Sequence, residues 1–157
     1  MTETLAALLL AHALADFVFQ TNWMVANKRS PKGLAAHGAV VLATAIAATG
    51  TVDWGILWLA ALHVAIDAIK ARARRGLRSF LLAQTAHLAT IAALAIWRPS
   101  LWGNGLWADL TVLPSVMLLV AGAIIATRAG GLAIGLLMDA FAAKVPAEIS
   151  AESLPGA

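Results

Sequence analysis

Five stretches of this chain run for roughly twenty residues with almost no charge, which leaves very few ways to fold. They lie at about Leu5–Ala26, Leu34–Thr49, Trp54–Ile69, Ser79–Trp97 and Leu106–Thr127. Inside hydrocarbon every backbone N–H and C=O needs a partner from the chain itself, so segments of this length are predicted to cross as α-helices. Composition agrees: 61% of residues are hydrophobic and 12% charged, with a mean hydropathy of +0.84. Eleven Lys and Arg with 8 Asp and Glu cannot form a water-facing shell for so apolar a core. A disordered chain, a nucleic-acid-binding tail protein and a conventional soluble enzyme are excluded. The expectation is an all-α polytopic transmembrane helix bundle of about five spanning helices.

The breaks are equally legible. Asn27, Lys28, Arg29, Ser30, Pro31, Lys32 and Gly33 make a loop after the first span, Gly50 closes the second, and Arg98 with Pro99 stops the fourth. Ser79 is the expected N-cap of the fourth span, and Pro114 a kink near the start of the fifth. Span five is expected to end near Thr127, with Arg128 after it, which assigns residues 1–128 to the bundle. The apolar run 129–145 is too short to cross alone and reads as a short C-terminal helix, followed by a disordered tail over 146–157. Met1–Thr4 carry an acid where a signal peptide has a basic segment, so no cleavable signal is expected.

Cations sort to one side. Lys28, Arg29 and Lys32 follow span one, Lys70, Arg72, Arg74, Arg75 and Arg78 follow span three, and Arg128 follows span five. Glu3, Asp53, Arg98 and Asp109 fall on the other side. The positive-inside rule then predicts a multi-pass inner-membrane protein with the N-terminus outside and the C-terminus cytoplasmic. Trp54, Trp58, Trp97, Trp102 and Trp107 are all expected at the outer interface. The expected partners are the bilayer and anionic headgroups on the cytoplasmic side, contacted by Lys28, Arg29, Arg72, Arg74, Arg75 and Arg78, with a second copy of the chain an open option. Nucleic acid is not expected despite the basic pI.

Ionisable groups inside spanning helices are costly, so each one points to function. The chain has four histidines, one in each of the first four spans: His12, His37, His63 and His87. Two of them stand four residues before an acid, as His12 with Asp16 and His63 with Asp67, a spacing that places each pair on one helix face. Gln20 and Lys70 extend those faces, and Gln84 lies one turn before His87. Counted from the cytoplasmic ends at about 1.5 Å per residue, all but His12 reach one layer of the inner half of the bilayer, with His12 above it.

Imidazole and carboxylate ligands suit zinc, manganese or iron, with an open position for water in a catalytic site. The metal ligands expected here are Asp16, His37, His63, Asp67 and His87, with Asp16, His63 and Asp67 catalytic and His12, Gln20, Gln84 and Lys70 supporting. Either Asp can instead orient its histidine. The chain contains no cysteine, which removes thiolate chemistry and Cys-ligated metals. The chemistry that fits is hydrolysis of a lipid-linked or phosphate-bearing substrate at the cytoplasmic leaflet. A proton or ion conduit, haem ligation by two facing histidines, and a purely structural subunit fit the same residues.

The run Leu8, Leu9, Leu10, Ala11, His12, then Asp16, Phe17, Val18, Phe19, Gln20 and Thr21, then Trp23 and Asn27–Arg29, resembles the opening of the bacterial DUF3307 membrane family. His37, Leu62 with His63, Asp67 and Lys70, and Phe80 with Gln84 and His87 resemble its later blocks, in order, so that the similarity covers about residues 5–97. That family commonly has an Asp before the Gln of span four; this chain has Ala83. The resemblance implies the architecture and the residue set but no activity. A looser similarity links the pattern to membrane-bound metal-dependent hydrolases.

Overall fold

The computed structural model describes residues 1–143, and among them every regular element is a helix. They are α1 (Thr2–Phe17), α2 (Asn22–Ala26), α3 (Pro31–Thr49), α4 (Trp54–Arg72), α5 (Leu77–Trp97), α6 (Leu113–Ile124), a π-helical turn (Ile125–Ala129) and α7 (Gly130–Ala142). Four helical stretches are long and apolar enough to cross a membrane: Pro31–Thr49, Trp54–Arg72, Leu77–Trp97 and the joined Leu113–Ala142. The region expected to be a disordered tail, 146–157, lies outside the described residues.

Helix α1 packs on α3, α5 and α6, and the ring is closed by α3 on α4 and α4 on α5. The interior is built from small residues. Ala6, Ala7, Ala11, Ala13 and Ala15 of α1 are buried, with Ala45 and Ala48 of α3, and such side chains let helix axes approach closely. Large apolar residues such as Leu57, Leu62, Leu82, Leu88 and Leu119 face outward. That inversion suits a lipid surround, where large apolar groups gain nothing by hiding.

The first span departs from expectation. Helix α1 ends at Phe17, where the Val18 and Phe19 amides both turn back to the Leu14 carbonyl, 3.1 and 2.8 Å away. Thr21 then caps α2 by accepting from the Met24 amide at 3.2 Å. A threonine cap and a closed C-terminal turn together interrupt a run whose composition alone reads as continuous. At 16 residues, α1 falls short of the ~20 needed to span unaided, and it is sheathed by other helices instead.

The far end of the chain departs the other way. Span five begins at Leu113, not Leu106, and Pro114 starts the helix instead of kinking it, because proline in the first turn lacks only an amide that has no partner there. The expected short C-terminal helix is α7, and it runs on from α6 through the π turn with no loop at Arg128 or Gly130, as one helical stretch from Leu113 to Ala142. Arg128 is therefore a mid-helix residue and no longer a loop cation. Helix α5 likewise starts two residues before Ser79, which caps nothing.

Residues 98–112 fold over one end of the bundle. The Thr4 hydroxyl donates to the Pro99 carbonyl at 2.9 Å and accepts from the Trp102 amide at 3.2 Å. The Leu106 amide donates to the Gly50 carbonyl at 3.0 Å, and Trp107 Nε1 donates to the Ala47 carbonyl at 2.8 Å. Gly50, at φ 68°, takes a left-handed end to α3 that a side chain would strain. Trp54, Trp58 and Trp97 are exposed as an interfacial belt requires, but Trp102, within this loop, is buried. Asp53 caps α4 and pairs with Arg98 across this end. Thr4→Val keeps shape and removes both hydroxyl bonds from a fully buried position, so a loss of about 2 kcal/mol is expected. A lowered melting temperature in detergent, with helix content retained, is the readout.

Candidate functional site

Each of α1, α3, α4 and α5 turns its polar stripe to the bundle axis, and the four histidines meet there. His12, His37, His63, His87 and Asp67 are all buried, and the Asp16 side chain is nearly so. At the centre, His37 Nε2 and His63 Nε2 lie 3.1 Å apart. Asp16 Oδ1 is 3.2 Å from the first and 3.1 Å from the second. Asp67 Oδ2 lies 3.3 Å from His37 Nε2 and 4.0 Å from His63 Nε2.

Of the two expected pairings along one helix, His63 with Asp67 forms at the 4.0 Å limit of an ion pair and His12 with Asp16 does not form. His12 does not approach Asp16 within ion-pair distance; its Nε2 meets Gln84 Oε1 at 3.0 Å, and Gln84 Nε2 donates to Asp16 Oδ2 at 3.4 Å. His63 is farther from its own Asp67 than from Asp16 on the facing helix. Side chains four apart on a helix stack along its axis, whereas these point inward, where groups from facing helices come closest. His12 stands at the upper edge of the cluster, its ring centroid 5.3 Å from that of His87.

Two lysines exchange the parts expected of them. Lys70, one turn beyond Asp67, makes no ion pair with it; its Nζ sits over the Phe80 ring, 5.3 Å from the centroid. Lys28, expected at lipid headgroups, donates instead to Asp67 Oδ2 at 2.7 Å, an acid wholly removed from solvent. The α1–α3 connector delivers it. Ser30 caps α3 by accepting from the Gly33 amide, and a Cβ on Gly33 would stand 2.2 Å from the Asn27 carbonyl oxygen, so only glycine permits this turn. The same connector places Gln20 Nε2 within 3.2 and 3.1 Å of the two ring nitrogens of His37. Of the other expected headgroup contacts, Arg29 donates to the Ala71 carbonyl and Arg72 to the Ala68 carbonyl.

Tetrahedral ions with bonds of about 2.0–2.1 Å hold their ligand atoms about 3.3 Å apart. The triangle of His37 Nε2, His63 Nε2 and Asp16 Oδ1 has edges close to that length. Asp67 with His37 and His63, and His12 with Asp16 and His63, form further groupings with ligand-atom spacing compatible with a metal. Asp16 Oδ1 has no hydrogen bond of acceptable direction despite its two near nitrogens, and Asp67 Oδ1, His12 Nδ1 and both nitrogens of His87 are also buried without a partner. Buried polar atoms rarely stay unsatisfied, so this cluster is shaped for something besides itself. A cavity of about 10 Å³ bordered by His12, His63 and His87 has room for one water. The rings of His63 and His87 stack with centroids 3.9 Å apart, leaving no slot for a porphyrin between them.

The chain matches the family described as a protein of unknown function (DUF3307) over residues 4–107. It belongs to the DUF3307 family. The matched region holds all four histidines, Asp16, Asp67 and the first part of the loop that closes the far end, and it stops before α6 and α7. No curated protein and no solved structure matches the chain.

Proposed function

We propose that this DUF3307 protein is a metal-dependent hydrolase of a bacterial inner membrane, acting on a lipid-linked or phosphate-bearing substrate at the cytoplasmic leaflet. In this reading the N-terminus is outside and the C-terminus cytoplasmic, so that Lys28 and the Arg-rich α4–α5 turn face the cytoplasm. The observation that carries it is the near-equilateral triangle of His37, His63 and Asp16, whose edges of 3.1–3.2 Å suit one divalent ion. Such an ion would acidify a bound water and polarise the substrate oxygen.

The chain's own residues have separable parts. Asp16, His37 and His63 would hold a divalent ion. His87, with both nitrogens unpartnered, borders the water-sized cavity and lies 3.6 Å from Asp67 Oδ1. It is placed to take the proton of the attacking water while Asp67 steadies the imidazolium. The water oxygen bonds to phosphorus, the P–O ester bond breaks, and the proton passes from His87 to the departing alkoxide. Lys28, which pairs with Asp67, would supply positive charge toward the substrate.

A conduit fits less well. Leu8, Ile56, Leu59 and Ile91 are buried in one apolar cluster with Leu101 and Trp102, which separates the centre from Thr4 and Thr49 at the far end. Elemental analysis of the detergent-purified chain tests the proposal. About one equivalent of zinc, manganese or iron per chain is expected; a metal-free protein that takes up none of the three would overturn it. Proton flux in liposomes abolished by Asp16→Asn would establish the conduit in its place.

A further inference from the structure

Between the end of α4 and the start of α5 lies a second cavity, of about 540 Å³, within the size range of small-molecule sites. Its two ends differ in chemistry. Lys70, Arg74, Arg75 and Arg78 line one, while Ile66, Ile69, Leu82, Ala83 and Ala86 line the other. Ile69 and Leu82 are well exposed, so the apolar end opens sideways, toward the surface that would meet lipid. Among the described residues no carboxylate lies within ion-pair distance of any of the four cations. Four positive groups gathered around one end without a counter-charge repel one another, and an anion held among them relieves that repulsion. A topology signal needs cations in a loop; it does not need a cavity with an apolar floor.

We infer that this cavity is a binding site for an anionic phospholipid. The headgroup phosphate lies among Lys70, Arg74 and Arg78, and one acyl chain runs along Ile66, Leu82 and Ala86. Arginine suits the first part because its planar fork donates two hydrogen bonds to a phosphate. Small Ala83 and Ala86 suit the second, since they leave the groove its depth. Lys70 is one turn beyond Asp67 on α4, so a lipid seated here has its phosphate close below the His/Asp centre. The inference rests on the membrane part of the function proposed above, not on its metal, so the two can fail separately.

The test uses the full chain, stripped of lipid in a neutral detergent and titrated with phosphatidylglycerol, phosphatidylcholine or inorganic phosphate under native mass spectrometry. One phosphatidylglycerol per chain is expected, held at least tenfold more tightly than phosphatidylcholine and not displaced by equimolar phosphate. Arg74→Ala with Arg78→Ala is expected to weaken retention at least tenfold. Ala86→Trp, which fills the groove and keeps every cation, is expected to weaken it comparably. Equal retention of the two lipids would overturn the site, as would displacement by free phosphate. So would an Ala86→Trp chain that retains phosphatidylglycerol as the wild type does, since that describes an open cationic surface. The comparison of ligands on the wild-type chain decides the matter even where a variant does not fold. A protein that takes up none of zinc, manganese and iron yet still selects phosphatidylglycerol would sink the metal centre and leave this site standing.

Discussion

Asp16→Ala is expected to lower metal affinity by roughly a hundredfold or more, whereas His12→Ala is expected to cost tenfold or less. Asp16 Oδ1 is the one oxygen within about 3 Å of both central imidazole nitrogens, at 3.2 and 3.1 Å. In the proposed centre, removing it would take away both a ligand atom and the charge that would offset a divalent ion. Losing even a group that merely orients a ligand costs about 10–100-fold, so loss of a ligand itself sits at or beyond the upper figure. His12 makes its hydrogen bond to Gln84, which in turn donates to Asp16, and stands outside the central triangle. Competition against a chelator of known affinity, with zinc and then manganese, measures both variants. Equal losses at the two positions would contradict the assignment of the triangle, and so would an Asp16→Ala chain that binds as the wild type does.

Lys28→Met is expected to destabilise the metal-free protein by about 3 kcal/mol, because breaking one side of a buried ion pair strands the other charge. Asp67 is fully buried and Lys28 is its closest cation, at 2.7 Å; methionine keeps most of the side-chain length. Metal should reverse much of that loss, since an ion in the centre supplies the missing positive charge. Ligand at about 100 times its dissociation constant stabilises by about 2.7 kcal/mol. The rise in melting temperature on adding zinc is therefore expected to be larger for the variant than for the wild type. An unchanged melting temperature in the metal-free variant would remove Lys28 from the centre; an equal zinc response in both chains would show that the ammonium and the ion do not compete.

Much of the centre could be read in advance, and particular residues show why. His37, His63 and His87 stand out because a polar group in an apolar helix is costly wherever that helix packs, so its presence is informative without knowledge of its neighbours. Their common depth follows from counting turns. Lys28 could not be read the same way. It lies in a cationic connector, where lysine is also what topology demands, and only the tight Ser30–Gly33 turn brings it to Asp67. Nor could the exchange of partners be read, in which His12 leaves Asp16 to His37 and His63. The i, i+4 spacing states that two side chains share a face and says nothing of how close the next helix comes.

Helix boundaries divide along the same line. Pro31–Thr49 and Trp54–Arg72 end close to where capping residues and loop cations place them, because those signals act within one turn. The break after Phe17 and the continuity through Gly130 are settled by what surrounds the chain. At the first, a local cap and a connector drawn toward His37 outweigh apolar composition. At the second, glycine's modest cost in a helix, about 1 kcal/mol relative to alanine, is small beside leaving backbone groups unpaired in hydrocarbon.

Local physics, then, determined what is helical, what is apolar, and that four histidines and two acids had to be housed away from water. Packing decided which of those groups touch, since contacts between helices depend on axis separation and on a bundle order that no spacing along the chain encodes.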